Sequence, residues 1–231
     1  MDKNQKHKME IENGKVGTGA RQTKVKICGL TREEDMDVLN ECRPDFAGLV
    51  FATSRRQVSE EQAEKLRARL SPEIPIVGVF VDAPSEQIAR LVEKRIIDVV
   101  QLHGSETPSD LENLRERLKG LGRKVPLIKA IRMSAETDLA IWDQSEADYL
   151  LLDAMQAGAG KVFDHNLLES HLPIRKPWFL AGGMNPENVS LAIERFSPFG
   201  VDVSSGVETD GKKDPEKIRR MIAEVRSHSF D

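Results

Sequence analysis

From residue 24 onward the chain repeats one pattern: a short apolar run, a turn, a helix-start signal and an amphipathic stretch. The apolar runs are "KVKIC" (24–28), "FAGLVF" (46–51), "IPIVGVFV" (74–81), "DVVQLH" (98–103), "VPLIKAI" (125–131), "DYLLLD" (148–153), "WFLAGG" (178–183) and "GVDVS" (200–204). Thr31 with Glu34 and Ser59 with Gln62 fit the capping box, in which a hydroxyl and a carboxyl or amide satisfy exposed backbone donors. Thr107-Pro108, Asn185-Pro186 and Asp214-Pro215 each place a capping side chain before a proline at the first helical position. Pro84, Ser134 and Asp164 open the remaining helices. Strands alternating with helices predict a parallel sheet with right-handed crossovers. Eight regular units, with no G-x-G-x-x-G at the first turn, predict a single closed (β/α)8 TIM barrel rather than an open doubly wound sheet. That α/β domain is expected over 24–226. A polar tail, 1–23, is expected to be disordered, and 227–231 a loose C-terminus.

Side chains alternate across a strand, so parity sorts them. In "KVKIC", Val25 and Ile27 share the face suited to the helix layer, while Lys24, Lys26 and Cys28 share the interior or mouth face. Val201 and Val203 go outward with Asp202 inward, and Val100 and Leu102 outward with Gln101 and His103 inward. In "PLIKAI", Ile128 and Ala130 are read as outward and Lys129 as inward. Polar inward residues at several C-terminal strand ends are what a barrel active site requires.

A formal net charge of −4 over 231 residues argues against nucleic acid as a partner. No apolar run is long enough to span a membrane. The first 23 residues lack the apolar centre of a secretory leader, so a cytoplasmic protein is expected. The two cysteines, Cys28 and Cys42, form no CxxC and no Cys/His cluster, which excludes a disulfide scaffold and a structural zinc. No metal or organic cofactor is expected.

An unpaired cysteine is commonly a small buried hydrophobe. Cys28, however, ends a barrel strand at the catalytic rim, where inward Lys26 and Lys129 would favour a thiolate. Cys42, near the end of the first helix, reads as structural. Asp153 closes "YLLL", where a carboxylate has no packing role, so thiol and carboxyl can serve as base and acid across one substrate. Asp202 reads as a site residue or as an ion-pair partner of Lys26. Three segments suit phosphate: Gly158 and Gly160 in "GAGK", Gly182 and Gly183 in "AGGMNP", and Ser204, Ser205 and Gly206 in "SSGVE". Backbone N–H groups at such turns cradle anions, and barrels often bind phosphate after strands seven and eight. Arg55-Arg56, after strand two, can hold a substrate carboxylate bidentately. His103 reads as a site-lining residue rather than a base.

Together, "KICGLT", "GLVF…SRRQVS", "GVFV", "DVVQLHG", "LLD", "GAGKVFD", "AGGMNPENV" and "VDVSSGVE…GKKD" resemble, in order, the phosphoribosylanthranilate isomerases of tryptophan biosynthesis, over roughly 24–226. The resemblance implies an Amadori rearrangement of N-(5-phosphoribosyl)anthranilate to 1-(2-carboxyphenylamino)-1-deoxyribulose 5-phosphate. It implies Cys28 as general base, Asp153 as general acid, Arg56 on the anthranilate carboxylate, and Asp202 near the bridging amine and sugar hydroxyls. It also implies a small phosphorylated substrate and no cofactor; a monomer or weak homodimer is expected. The loop after strand six departs from the family: Ala157 and Ala159 replace a glycine and a hydroxyl residue, and His165 replaces an aromatic. Arg55 stands where the family often has proline. Two rivals remain: a histidine-pathway phosphosugar isomerase, usually with aspartate where Cys28 stands, and a non-catalytic phospho-ligand-binding barrel, which would need neither Cys28 nor Asp153.

Overall fold

The computed structural model describes residues 21–153, 168–169, 171 and 173–230. Eight parallel strands close into a barrel in chain order: β1 Lys24–Cys28, β2 Phe46–Val50, β3 Ile76–Phe80, β4 Val99–Leu102, β5 Leu127–Arg132, β6 Tyr149–Asp153, β7 Trp178–Ala181 and β8 Gly200–Val203. β8 closes onto β1 with Lys26 opposite Asp202. The expected single (β/α)8 barrel is the fold. Among the described residues the helices are α1 Glu33–Cys42, α2 Glu60–Arg69, α3 Ser85–Glu93, α4 Pro108–Lys119, α5 Leu139–Asp143, α6 Val189–Phe196 and α7 Pro215–Ser227.

Most helix starts follow the sequence signals. Ser59 accepts from Gln62 N at 3.1 Å. Thr107 and Asp110 form a full capping box at α4, and Asp214 accepts from Glu216 N and Lys217 N at α7. Three starts differ. α6 begins at Val189 with Asn188 as its cap, so the expected Asn185-Pro186 start falls in the preceding turn, which Asn185 orders by accepting from Glu187 N and Asn188 N. Arg32, not Thr31, is the cap of α1, because the buried Asp35 carboxylate accepts from Arg32 N at 3.1 Å and also takes the Arg32 guanidinium. Asp138 rather than Ser134 opens α5, accepting from Ala140 N at 2.9 Å. Asp164 lies outside the described residues.

Each helix then buries one stripe on the barrel. α3 turns in Ile88, Leu91 and Val92, and α7 turns in Ile218, Met221, Ile222 and Val225, the spacing of a core-facing helical stripe. The strands carry apolar residues on both faces, as parallel strands covered by helices must. Val25, Ile27, Val100, Leu102, Val201 and Val203 join the layer under the helices. Cys28, Val77, Val79, Val99, Leu151 and Phe179 line the interior. Phe46, Tyr149, Phe179 and Phe199 plug its lower end, with ring centroids 5.1–5.9 Å apart. Polar chemistry is thereby confined to the middle and the mouth.

β5 reverses the expected parity. Ile128 and Ala130 belong to the interior cluster. Lys129 points out into the helix layer, where its Nζ meets Glu106 Oε2 at 2.7 Å and Gly104 O at 2.8 Å and lies 5.4 Å from the Trp142 ring centroid. An anionic partner, a carbonyl and an aromatic face together accommodate a cation where only apolar residues were expected.

Regular structure also reaches past 24 and 226 at both ends. Arg21–Gln22 pairs antiparallel with Ser229–Phe230. Thr23 is buried, its hydroxyl donating to Pro198 O at 3.4 Å.

Candidate active site

Cys28 sits at the C-terminal end of β1, only 7% exposed. Gly48, its register partner on β2, makes room for the thiol: a Cβ there would lie 2.9 Å from Sγ. Burial pushes the Cys28 thiol up from its ordinary value, and the opposing pull of the Lys26 charge does not offset it. The lowered thiol expected from two inward lysines is therefore corrected. Lys129 faces the helices, and Lys26 shares its charge with Asp202 Oδ1 at 2.8 Å. Burial alone would lower the Lys26 pKa, but Asp202 and Cys28 outweigh it and hold the ammonium in its charged form. The ion-pair reading of Asp202 holds, and the pair stands directly below the thiol.

After Cys28 the chain turns at Gly29, whose φ of +77° falls in the left-handed region. The turn brings Gly29 N and Leu30 N to the Gly48 carbonyl, at 3.0 and 3.2 Å. A Cβ on Gly29 would collide with Arg56 Cδ, so the stem of Arg56 lies over this turn.

Sequence reasoning singled out neither Glu208 nor Lys213, the residues that anchor Arg56. Arg56 Nε and Nη2 donate to Glu208 Oε1 and Oε2 at 2.7 and 3.0 Å, Arg55 Nη2 donates to Oε2 at 2.6 Å, and Lys213 Nζ to Oε1 at 2.8 Å. Both lie within "VSSGVE…GKKD", and the available signal was charge: an acid two residues after a glycine, followed by a lysine pair. Burial pushes the Glu208 carboxyl up, but hydrogen bonds from Arg56 and Lys213 outweigh it and hold it at about 2. Burial lowers the Lys213 pKa, with Glu208 opposing.

A testable consequence follows from the linkage between protonation and folding. A carboxyl depressed from 4.5 to about 2 stabilises the fold above pH 4.5, and this contribution fades as pH falls towards 2. The melting temperature of Glu208→Gln should trail the parent at pH 6 by the equivalent of roughly 2–3 kcal/mol. The gap should close as both are titrated towards pH 2.5. A gap independent of pH would show that the carboxylate charge is not what stabilises this cluster.

Asp153 ends β6, opposite Arg132 on β5 and Ala181 on β7. Its Oδ2 is 3.7 Å from His103 Nε2, and His103 Nδ1 is 3.2 Å from Gln101 Nε2. Gln101 is buried in the interior. Two groups of side chains thus occupy one rim: Cys28, Lys26, Asp202 and Arg56 around β1, β2 and β8, and His103 with Asp153 on β4 and β6.

Of the phosphate candidates, Gly182 and Gly183 take φ of 106° and 70° directly after β7. Ser205–Val207 forms a single 3-10 turn after β8. A Cβ on Gly206 would run into the Met184 carbonyl oxygen, so these two loops pack too closely there for any side chain at 206. The Ser204 hydroxyl is already used, donating to Cys28 O at 3.1 Å. Ser205 is exposed. Gly158 and Gly160 lie outside the described residues, as do Ala157, Ala159 and His165. Among the described residues no group of three or more His, Cys, Asp or Glu side chains could hold a metal ion.

Comparison with known proteins places the chain in a family. A family model described as N-(5'phosphoribosyl)anthranilate (PRA) isomerase matches residues 25–224. The chain belongs to the PRA isomerase family. A PRA isomerase of Acetivibrio thermocellus is 48% identical over 209 residues, covering 88% of this chain and 96% of that protein. The crystal structure of the Thermotoga maritima PRA isomerase superposes with a TM-score of 0.77 at 36% identity, covering 89% of this chain and 100% of that one. A PRA isomerase structure in complex with reduced 1-(o-carboxyphenylamino)-1-deoxyribulose 5-phosphate gives 0.75 at 35% identity, with the same coverage. PRA isomerase membership bears out the resemblance read from the motifs, and it disfavours both the histidine-pathway isomerase and the non-catalytic barrel.

Proposed function

We propose that this chain converts N-(5'-phosphoribosyl)anthranilate to 1-(2-carboxyphenylamino)-1-deoxyribulose 5-phosphate in tryptophan biosynthesis, with Cys28 as base and Asp153 as acid. The observation that carries the assignment is that thiol and carboxyl end two strands, β1 and β6, on the same rim of one barrel. Asp153 gives a proton to the ribose ring oxygen as its bond to C1 breaks, leaving a protonated Schiff base. The Cys28 thiolate takes the C2 proton, and the electron pair flows to the nitrogen to form the enolamine. Tautomerisation of the enol to the ketone completes an isomerisation with no net gain or loss of atoms. Asp202 meets the bridging amine and sugar hydroxyls while its other interaction fixes Lys26, and His103 lines the site beside Asp153. Backbone at Gly182, Gly183, Ser205 and Gly206 faces the phosphate, with Ser204 bracing that loop against β1. Gly158 and Gly160 would add to the cradle.

A monomer or weak homodimer is the assembly proposed for this chain. No described helix is long and apolar enough to cross a membrane. The decisive experiment follows the fluorescence of freshly generated phosphoribosylanthranilate on adding the purified protein. Turnover is expected; its absence under conditions where the Thermotoga maritima enzyme is active would sink the assignment.

Arg56 holds the anthranilate carboxylate in this reading. Arg56→Ala should raise KM through loss of a charge-assisted contact of about 1.5–3 kcal/mol. Arg55→Ala should do less, because the Arg55 side chain is 55% exposed and Arg56 only 23%. Steady-state kinetics of the two variants decide it, and a larger rise for Arg55→Ala would reassign the contact.

A further inference from the structure

We propose that the Lys129–Glu106 pair, which lies outside the barrel wall, is a positioning device that holds His103 against Asp153. The inference rests on the reaction assigned above and adds residues that the reaction scheme does not use. The geometry begins with Gly104, the residue after His103. Its N–H donates to Glu106 Oε2 at 2.9 Å, and its carbonyl accepts from Lys129 Nζ at 2.8 Å. The same Nζ reaches Glu106 Oε2 at 2.7 Å. Both backbone groups of Gly104 are therefore gripped by one ion pair. Glu106 is 9% exposed and Lys129 3%, so neither charge is a solvated surface group.

The other carboxylate oxygen extends the grip to the neighbouring loop. Glu106 Oε1 accepts from Asp82 N at 2.9 Å, just past the end of β3. Asp82 returns the contact by accepting from Ser105 N and Ser105 Oγ at 2.8 and 2.9 Å. Asp82 has a φ of 49°, an unfavourable region for a side-chain-bearing residue, and it persists where surrounding contacts over-determine it. On the strand side, His103 N donates to Phe80 O at 2.8 Å. His103 is thus fixed before and after its own Cα. Its ring, supported by Gln101 at Nδ1, is left facing Asp153 Oδ2.

The arrangement answers a problem of placement. A lysine–glutamate pair buried in a helix layer contributes little net stability compared with apolar residues of the same size. Its hydrogen bonds, however, are directed, and here three of them end on the backbone around one ring of the candidate site. An apolar pair would fill the space without fixing the loop.

The test is a double-mutant cycle on the full chain, read by pH–rate profiles and by the His103 ring titration in nitrogen-15 NMR. Glu106→Gln is expected to lower kcat about tenfold with KM changed by less than about threefold. It should also shift the His103 titration. In a His103→Asn background the same Glu106→Gln change should cost less than about twofold, because no ring is left to position. Glu106→Gln combined with Lys129→Met leaves no unpaired charge and guards against simple unfolding; it should reproduce the kcat loss while melting near the parent. Equal losses with and without His103, or an unshifted ring titration beside a lower melting temperature alone, would overturn the proposal. Absence of turnover in the parent would count against the assigned reaction instead. The NMR titration of Glu106→Gln would then decide the positioning role by itself.

Discussion

Replacing Cys28 with alanine should reduce turnover by about 10²–10⁴-fold, the usual contribution of one general acid–base group. Folding should survive, because the thiol occupies a small space against Gly48 and a methyl group fits it. Affinity for a phosphate-bearing product analogue should also survive, since the glycine loops after β7 and β8 are untouched. The pH dependence is the sharper test. Burial pushes the thiol up from 9.0, so the thiolate fraction, and with it kcat/KM, should still be climbing above the pH at which an ordinary cysteine has titrated. Cys28→Ser should be nearly as poor as alanine, because a hydroxyl is a far weaker base. Near-parent turnover in Cys28→Ala would reduce the thiol to core packing and end the mechanism proposed here.

Asp153→Asn is expected to have an effect of the same order, about 10²–10⁴-fold on turnover. Asparagine keeps the size of the side chain and a polar atom towards His103, yet it has no proton to give to the ring oxygen. The loss should therefore appear in kcat while analogue affinity and melting temperature change little. Single-turnover measurements would place the defect at ring opening, before proton removal from C2. Retained activity would move the acid elsewhere on the rim, with Asp202 the next carboxylate to examine.

Much of this architecture was legible from alternation and caps alone. Lys26 and Asp202 could be placed facing one another from parity in "KVKIC" and "GVDVS", and they meet at 2.8 Å. The same logic failed at Lys129. Parity arguments treat a polar side chain as barred from the helix layer, and Lys129 escapes that rule through Glu106, a partner that pattern alone does not reveal. The helix start at α1 failed for a related reason. Arg32 displaces Thr31 as the cap because the buried Asp35 carboxylate, inside the first turn, serves two backbone donors and the Arg32 guanidinium at once. Glu208 and Lys213 went unnoticed because their importance lies in convergence: four charged side chains from two loops meet only in three dimensions. The thiol's raised pKa was equally invisible, since burial depends on the closure of the whole barrel.

The Lys26–Asp202 pair also bears on how such a chain can change over generations. Lysine here is fully enclosed, with the aspartate side chain only 10% exposed. Replacing a buried pair of this kind by well-packed apolar residues is often neutral or stabilising by about 1–4 kcal/mol. Removing one partner alone is instead strongly destabilising, because the other charge is stranded. Single steps away from the pair are therefore uphill even though the fully apolar interior beyond them is not. A copy of this barrel released from its chemistry could gain robustness only by losing both charges together. The two residues form an evolutionary ratchet, held in place by the instability of either intermediate as well as by what they do for the thiol above them.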